Sequence, residues 1–356
     1  GRVKVLLQHE PVSCEVRGDV VKSVRVKSVV SGAEVTIAAA YVLDATEFGD
    51  LYPMAGVEHA IGAEANAEYG EIHAPEKAER LDQQACSWCF AMEHRPGEDH
   101  TIGRPARYSF WRDFVPKMHE GAAPWTGKLF SWTVPSHNEE GKRTFPLVPW
   151  PDEPARGEWE LWRYRRIVDA SVYEPYHREF ERPGAVLEHP DVSLVNWVQM
   201  DYWLKPLLGV SAAERAAALE EAREQSRCLL YWMQTEAPRH DSSEKTGYPG
   251  LKLRGEELGT ADGFAKHVYV REPARLLART VVHEGHIGTE QRTREGREGM
   301  DREPFGTAEA FADSVGIGHY TLDLHPSCSG RNSVYVPAAP FRIPLGSLIP
   351  RRVVNV

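Results

Sequence analysis

The sequence has few cysteines, no long apolar run, no excess of positive charge and no Gly-x-Gly-x-x-Gly segment, and each absence excludes something. Five cysteines (Cys14, Cys86, Cys89, Cys228 and Cys328), odd in number and sparse over 356 residues, argue against a secreted disulfide framework and for a reducing compartment. The expected location is therefore cytoplasmic. The longest strongly apolar stretch, residues 35–43, is broken by Thr36 and falls far short of the ~20 residues that a membrane-spanning helix needs. A net charge of −10, from 52 acidic and 42 basic side chains, repels polyanions, so no nucleic-acid partner is expected. The missing glycine pattern removes the usual helix N-terminus that receives a dinucleotide pyrophosphate. The chain opens on Gly1, without the basic, apolar and small-residue order of a signal peptide. It closes on an apolar, arginine-bearing run, so it is expected to be an internal piece of a longer protein.

What is present is the composition of a folded globular protein, 42% apolar and 26% charged, long enough for one large domain or two ordinary ones. Residues 3–43 read as a small antiparallel meander, with β-branched runs at 3–7, 20–30 and 35–43 separated by Arg17-Gly18-Asp19 and Ser31-Gly32. Residues 74–154, rich in Pro, Gly, Trp and His, read as long loops. A helix is expected over residues 158–169. A clearer one starts at Ser211, where Glu214 completes a capping box, and stops before Pro238. Further helices are expected from Pro273 to about residue 283 and over residues 307–314, with strands at 319–324 and 341–349.

Several groups could carry chemistry. Asp44-Ala45-Thr46-Glu47-Phe48-Gly49-Asp50 follows an apolar run with small and acidic residues, which lets backbone approach a ligand closely, although an ordinary turn has the same composition. Tyr320-Thr321-Leu322-Asp323-Leu324-His325 alternates along an expected strand and gathers Thr321, Asp323 and His325 on one face. Histidine is the side chain best suited to moving a proton near neutral pH, so His325 is the first candidate and Asp323 its expected partner, against the plainer reading of a solvated strand face. Cys86 and Cys89 have the spacing of a redox pair, yet nothing around them has a thioredoxin context, and packing cysteines are the plainer reading. His283-Glu284-Gly285-His286 is one residue short of a His-Glu-x-x-His zinc motif, so no metal is expected and the two histidines are expected to face solvent. The ten tryptophans could stack on a sugar or an aromatic ligand, but most large aromatics are core.

The segment from Asp44 to Leu51 resembles the Asp-Ala-Thr-(Glu or Gly)-x-Gly-Asp-Leu pattern of the FAD-dependent oxidoreductase family, with Glu47 where many members carry Gly. The likeness continues through Trp88-Cys89-Phe90, Pro96-Gly97-Glu98-Asp99-His100, Leu161-Trp162-Arg163-Tyr164, Asn196-Trp197 with Asp201-Tyr202-Trp203, Gly247-Tyr248-Pro249-Gly250 and Asp313-Ser314-Val315-Gly316, and covers most of the chain. The resemblance implies an α/β (α+β) fold. It would comprise part of an FAD-binding domain of the glutathione-reductase or p-hydroxybenzoate-hydroxylase type over residues 1–60, a substrate region over 61–340, and a return to the FAD-binding domain over 341–356. It implies FAD as cofactor, held by Asp44, Ala45, Thr46, Glu47, Gly49 and Asp50, though weakly or not at all without the glycine fingerprint. It also implies a small-molecule substrate near Trp88, Asp99, His100, Arg271 and Glu272, with Pro273-Ala274 replacing the Ser-Arg of the family's Arg-Glu-Ser-Arg-Arg. Because a flavin accepts hydride, the protein must supply a base for the departing proton, which is the role expected of His325. The rival expectations are a carbohydrate-active lyase or carbohydrate-binding protein using the tryptophans, and a fragment without catalysis.

Overall fold

A computed structural model of the chain describes residues 3–118, 125, 127–136, 141–147, 160–170, 172, 191–240, 242, 245–295, 308–353 and 355–356. Along these the strands are β1 (His9–Arg17), β2 (Val20–Ser28), β3 (Glu34–Ala38), β4 (His59–Ala60), β5 (Phe90–His94), β6 (Thr133–Pro135), β7 (Lys142–Thr144), β8 (Arg166–Val168), β9 (Val192–Val195), β10 (Leu251–Leu253), β11 (Arg275–Leu276), β12 (Ser314–Gly318), β13 (Leu322–Leu324), β14 (Val334–Val336) and β15 (Phe341–Pro344). The helices are α1 (Leu51–Ala55), α2 (Asn66–Tyr69), α3 (Tyr108–Asp113), α4 (Leu161–Tyr164), α5 (Ala212–Thr235), α6 (Gly255–Leu258), α7 (Glu284–Ile287) and α8 (Thr289–Arg294). Among the described residues every strand pairing is antiparallel, in small sheets mixed with helices, which is an α+β architecture. No helix among them is long and apolar enough to cross a membrane.

The chain forms two compact units, one of Gly1–Gln84, Val270–Leu324 and Val334–Val356, the other of Ala85–Tyr269 and His325–Ser333. In the first unit β1, β2 and β3 make a meander, in which β2 turns Val21 and Val24 into a core with Leu51, Ala55, Val57 and Val353. Asn355 acts there as a substitute strand partner: its Oδ1 accepts from Val21 N at 2.8 Å and its Nδ2 donates to Val21 O at 2.9 Å. Expectation and structure differ in detail. Residues 3–7 are not a strand, and β1 begins at His9; β3 ends at Ala38, so Tyr41–Leu43 lie outside the sheet and Val42 N donates to Asn355 O at 2.8 Å. The backbone need of Val42 is met by a residue distant in sequence, which no local pattern reveals.

Three expected helices are also corrected. Where 273–283 was expected helical, β11 pairs with β4, and the guanidinium of Arg275 bonds Glu64, Glu272 and the carbonyl of Gly62. Ala308–Asp313 are not helical, and Ser314–Gly318 form β12 against β15, while Thr307 lies outside the described residues. Of the helix expected over 158–169 only α4 forms, because β8 is drawn into pairing with β9; residues 158 and 159 lie outside the described residues. At 273–283 and 158–169 strand pairing outweighs a weak local propensity, and at 308–313 bonds to other stretches, such as Glu309 N to His286 O and Leu345 N to Asp313 O, take its place. Two expected strands are shorter than read: β13 spans only Leu322–Leu324, and after β15 the chain makes a 3₁₀ turn at Leu345–Leu348. The stretch 74–154, expected as loops, contains β5, α3, β6 and β7.

The second unit is built on α5 and the sheet β10-β5-β9-β8. As the sequence indicates, α5 starts with a capping box: Ser211 Oγ accepts from Glu214 N at 3.2 Å, and the Glu214 carboxylate accepts from Ser211 N at 2.8 Å. Its buried face carries Cys228, Leu229, Leu230, Trp232 and Met233, and Tyr231 meets Tyr108 of α3 edge to face at 4.7 Å. Phe90, Ala91 and Met92 of β5 are fully buried. Gln234 near the end of α5 is buried and holds one loop to the start of β10: its Nε2 donates to His100 O at 2.7 Å and Leu251 O at 2.8 Å, and its Oε1 accepts from Ile102 N at 3.0 Å. Gln234→Ala strands three backbone groups and leaves a void, so it should destabilise this unit by about 2–4 kcal/mol. Urea denaturation would show this as a lowered midpoint with an unchanged slope; an unchanged midpoint would contradict it.

Candidate functional site

Two groups of side chains stand out, one in each unit. In the first, the segment entering α1 is held by its own side chains. Asp44 Oδ1 accepts from Thr46 N at 2.9 Å and from Thr46 Oγ1 at 2.7 Å, while Asp44 Oδ2 accepts from Leu51 N at 3.0 Å. Thr46 Oγ1 in turn accepts from Asp50 N at 2.8 Å. Gly49 has φ +72°, and a Cβ there would stand 3.0 Å from the ring of Tyr52 and 3.1 Å from Ala274, so glycine is required on two counts. Ala45 and Glu47 face outward. A main chain held from its inner side, with a methyl group and a carboxylate on its outer side, fits a segment laid against a flavin nucleotide, where ribose hydroxyls need acceptors and the backbone must come close.

The second group is built from three stretches of the second unit. Cys86 and Tyr202 exchange backbone hydrogen bonds of 3.0 and 2.8 Å, Ser87 and Tyr269 exchange another pair, and Ala85 N donates to Pro326 O at 2.8 Å. These bonds tie residues 85–87, 201–202 and 325–326 together. On that frame, His325 Nδ1 lies 2.5 Å from Oδ2 of Asp201, whose other oxygen accepts from Ser87 Oγ at 2.8 Å. Asp201 is 0% exposed and the His325 side chain 19%. A buried carboxylate bonded to an imidazole nitrogen holds the ring in one orientation, which is the arrangement a proton-moving histidine requires.

Beside it the Tyr202 hydroxyl donates to Glu221 at 2.7 Å. Burial, then the Glu221 carboxylate, push the Tyr202 phenol well above its usual range. Burial would raise Glu221, but hydrogen bonds from Lys205 and Tyr202 and the charge of Arg107 hold its carboxyl below the usual range.

His325 therefore meets Asp201, whereas Asp323 was the partner expected. Asp323 lies on β13 in the first unit, opposite Tyr335, with the Tyr320 hydroxyl 3.5 Å from its carboxylate; His325 follows the end of β13 and belongs to the second unit. Strand alternation misses this because the strand stops at Leu324. Trp88 donates its indole N–H to Ala265 O at 2.9 Å and lies under the Arg223 guanidinium, 5.2 Å from the ring centre. Asp99 forms a local turn with Thr101 N at 2.9 Å, and His100 Nε2 lies 2.6 Å from Glu98. Glu272 accepts from Gln84 N at 3.1 Å and pairs with Arg275, while Arg271 is half-buried beside it in sequence. The sequence reading missed Asp201 and Ser87. The available signal was a lone acid directly after Trp197-Val198-Gln199-Met200, where a carboxylate inside an aromatic and apolar run must be buried and bonded.

His283 and His286, expected to face solvent, are half-buried with ring centres 3.7 Å apart, and Tyr69 stacks on His283. Glu284 between them is buried and lies 2.5 Å from His73 Nδ1, so a distant loop covers this turn. Among the described residues no three His, Cys, Asp or Glu side chains gather as a metal centre would need.

Cys86 and Cys89 are both buried, and burial, with Glu224 adding, pushes the Cys228 thiol up to about 12. In the folded chain an aromatic disulfide reagent at about pH 8 should react at Cys14 and Cys328 alone, with Cys86, Cys89 and Cys228 appearing only on unfolding. Rapid reaction of Cys86 or Cys89 before unfolding would instead reveal an accessible dithiol.

Neither the curated proteins nor the solved structures include a match. The family model described as FAD dependent oxidoreductase matches residues 1–356. The chain thus belongs to the FAD-dependent oxidoreductase family, and its cofactor is FAD.

Proposed function

We propose that this protein exchanges hydride between FAD and a small organic molecule in the cytoplasm, with a flavin-binding part of the glutathione-reductase type. In this reading His325 moves the substrate's proton. Bound FAD supplies the acceptor for two electrons and a hydrogen leaving carbon. The balance requires a second partner: as a C–H bond breaks with its electron pair, the O–H or N–H on the same carbon loses its proton, and a C=O or C=N bond forms. The imidazole of His325 takes that proton on Nε2 when Nδ1 donates to Asp201.

The observation that carries the reading is the 2.5 Å approach of His325 Nδ1 to a carboxylate with no exposure. Asp44 and Thr46 fix the segment whose outer side, Ala45 and Glu47, would lie against the cofactor. Gly49 and Asp50 complete the turn into α1. Within the second unit, Trp88, Asp99 and His100 are proposed to contact the substrate, Trp88 by stacking and the charged residues by ion pairing or hydrogen bonding.

Titration of the chain with FAD, followed by flavin fluorescence, tests the cofactor assignment for this chain: weak uptake is expected without the glycine fingerprint, and no uptake even at saturating FAD would contradict the assignment. The loaded chain is then mixed anaerobically with a panel of small alcohols, hydroxy acids and amines while the flavin absorbance is followed. With a compound that bleaches the flavin, His325→Gln should slow bleaching by roughly 10²–10⁴ while FAD uptake is retained. Bleaching at the parental rate from about pH 5 to about pH 9 would remove His325 from the mechanism.

A further inference from the structure

Asp201 is anchored more thoroughly than a carboxylate needs merely to be tolerated in a core. Its side chain accepts from His325 Nδ1 at 2.5 Å and from Ser87 Oγ at 2.8 Å. Its main-chain carbonyl accepts from Gln225 Nε2 at 2.9 Å, and the same amide donates to Gln199 O at 3.1 Å. Gln225 and Ser87, like Asp201, are fully buried. The next residue, Tyr202, is fixed on both sides, by backbone exchange with Cys86 and by its hydroxyl on Glu221. The histidine's own stretch is tied down one residue later, where Pro326 O accepts from Ala85 N. Backbone and side chain of the carboxylate are thus held from α5, from residues 85–87 and from the turn after Val198.

The chemical consequence lies in the imidazole. A carboxylate accepts and does not donate, so a neutral ring facing it must carry its proton on Nδ1. Nε2 is then the nitrogen with the lone pair.

Resting on the proposed role of His325 as the proton-moving group, we propose that Asp201, Ser87 and Gln225 are positioning residues. Together they lock His325 in the Nδ1–H tautomer, so that Nε2 is the atom that takes or returns the proton. Ser87 does this by engaging the second oxygen of the carboxylate, leaving Oδ2 to the ring. Gln225 does it by fixing the main chain from which the carboxylate projects.

The tautomer is read directly, without turnover, from the imidazole ¹⁵N chemical shifts of the full chain labelled at histidine, with the His325 signals identified by their loss in His325→Gln. The expected spectrum of the parent, recorded at a pH where the ring is neutral, has a protonated Nδ1 and a bare Nε2. A protonated Nε2 with a bare Nδ1 in the parent would overturn the proposal without any further variant. Asp201→Asn, which presents an amide that can donate, should reverse the two shifts; a folded Asp201→Asn chain that keeps the parental tautomer would overturn it equally. Gln225→Leu, which keeps the bulk but not the bonds, should give mixed tautomers. With an oxidisable substrate in hand, Asp201→Asn should lower kcat by roughly 10-fold or more with KM nearly unchanged, the pattern of a lost transition-state contribution. The expected tautomer together with full activity of His325→Gln would leave the positioning assignment standing and remove the base assignment, so the two failures are distinguishable.

Discussion

The second unit depends on one constraint: its long irregular stretches carry buried backbone groups that sheet and helix leave unpaired, and side chains of α5 pair them. Gln225 donates to the carbonyls of Gln199 and Asp201, Gln234 bridges His100, Ile102 and Leu251, and Glu224 accepts from Arg107 N. A buried amide of this kind supplies two donors and an acceptor at a fixed point, and each loop group left unpaired would cost about 1–3 kcal/mol. The helix is therefore the frame on which the loops are ordered, as well as an apolar face. The indoles extend the same solution, with Trp132 donating to Pro238 O and Trp88 to Ala265 O.

The pairing of Asp201 with His325 follows from that frame. A fully buried carboxylate is strongly unfavourable unless it is bonded, and here bonds from His325 and Ser87, on separate stretches, hold it in place. Family membership gives the cofactor, and the geometry adds a histidine whose orientation is fixed before any substrate arrives. Preorganisation of this kind is what the proposed proton-moving role of His325 requires.

The first unit solves its burial problem by charge pairing and by substitute strand partners. Burial would lower the Arg275 guanidinium, but Glu272 and Glu64 outweigh it and hold it above its usual range, while Asn355 takes the place of β3 beside Val21, where β3 has already ended. The Asp44 to Asp50 turn belongs to this scheme, since Asp44 and Thr46 satisfy the amides at the start of α1. The same bonds leave Ala45 and Glu47 outward, so one motif is both a helix entry and a candidate cofactor surface.

The sequence by itself determined the features whose signals are local. The capping box at Ser211, the end of α5 before Pro238, the strands β2 and β3 with their turns and the Asp44 to Asp50 turn are set by residues near one another in sequence. The family was legible for the same reason, through motifs spread over most of the chain. Only the tertiary structure decided which carboxylate meets His325, because 124 positions separate it from Asp201, and Asp323, two residues away, was the nearer guess. It decided too that residues 275–276 and 314–318 pair as strands, because a hydrogen-bonded partner supplied from elsewhere in the fold outweighs the few tenths of a kcal/mol per residue by which local propensities differ.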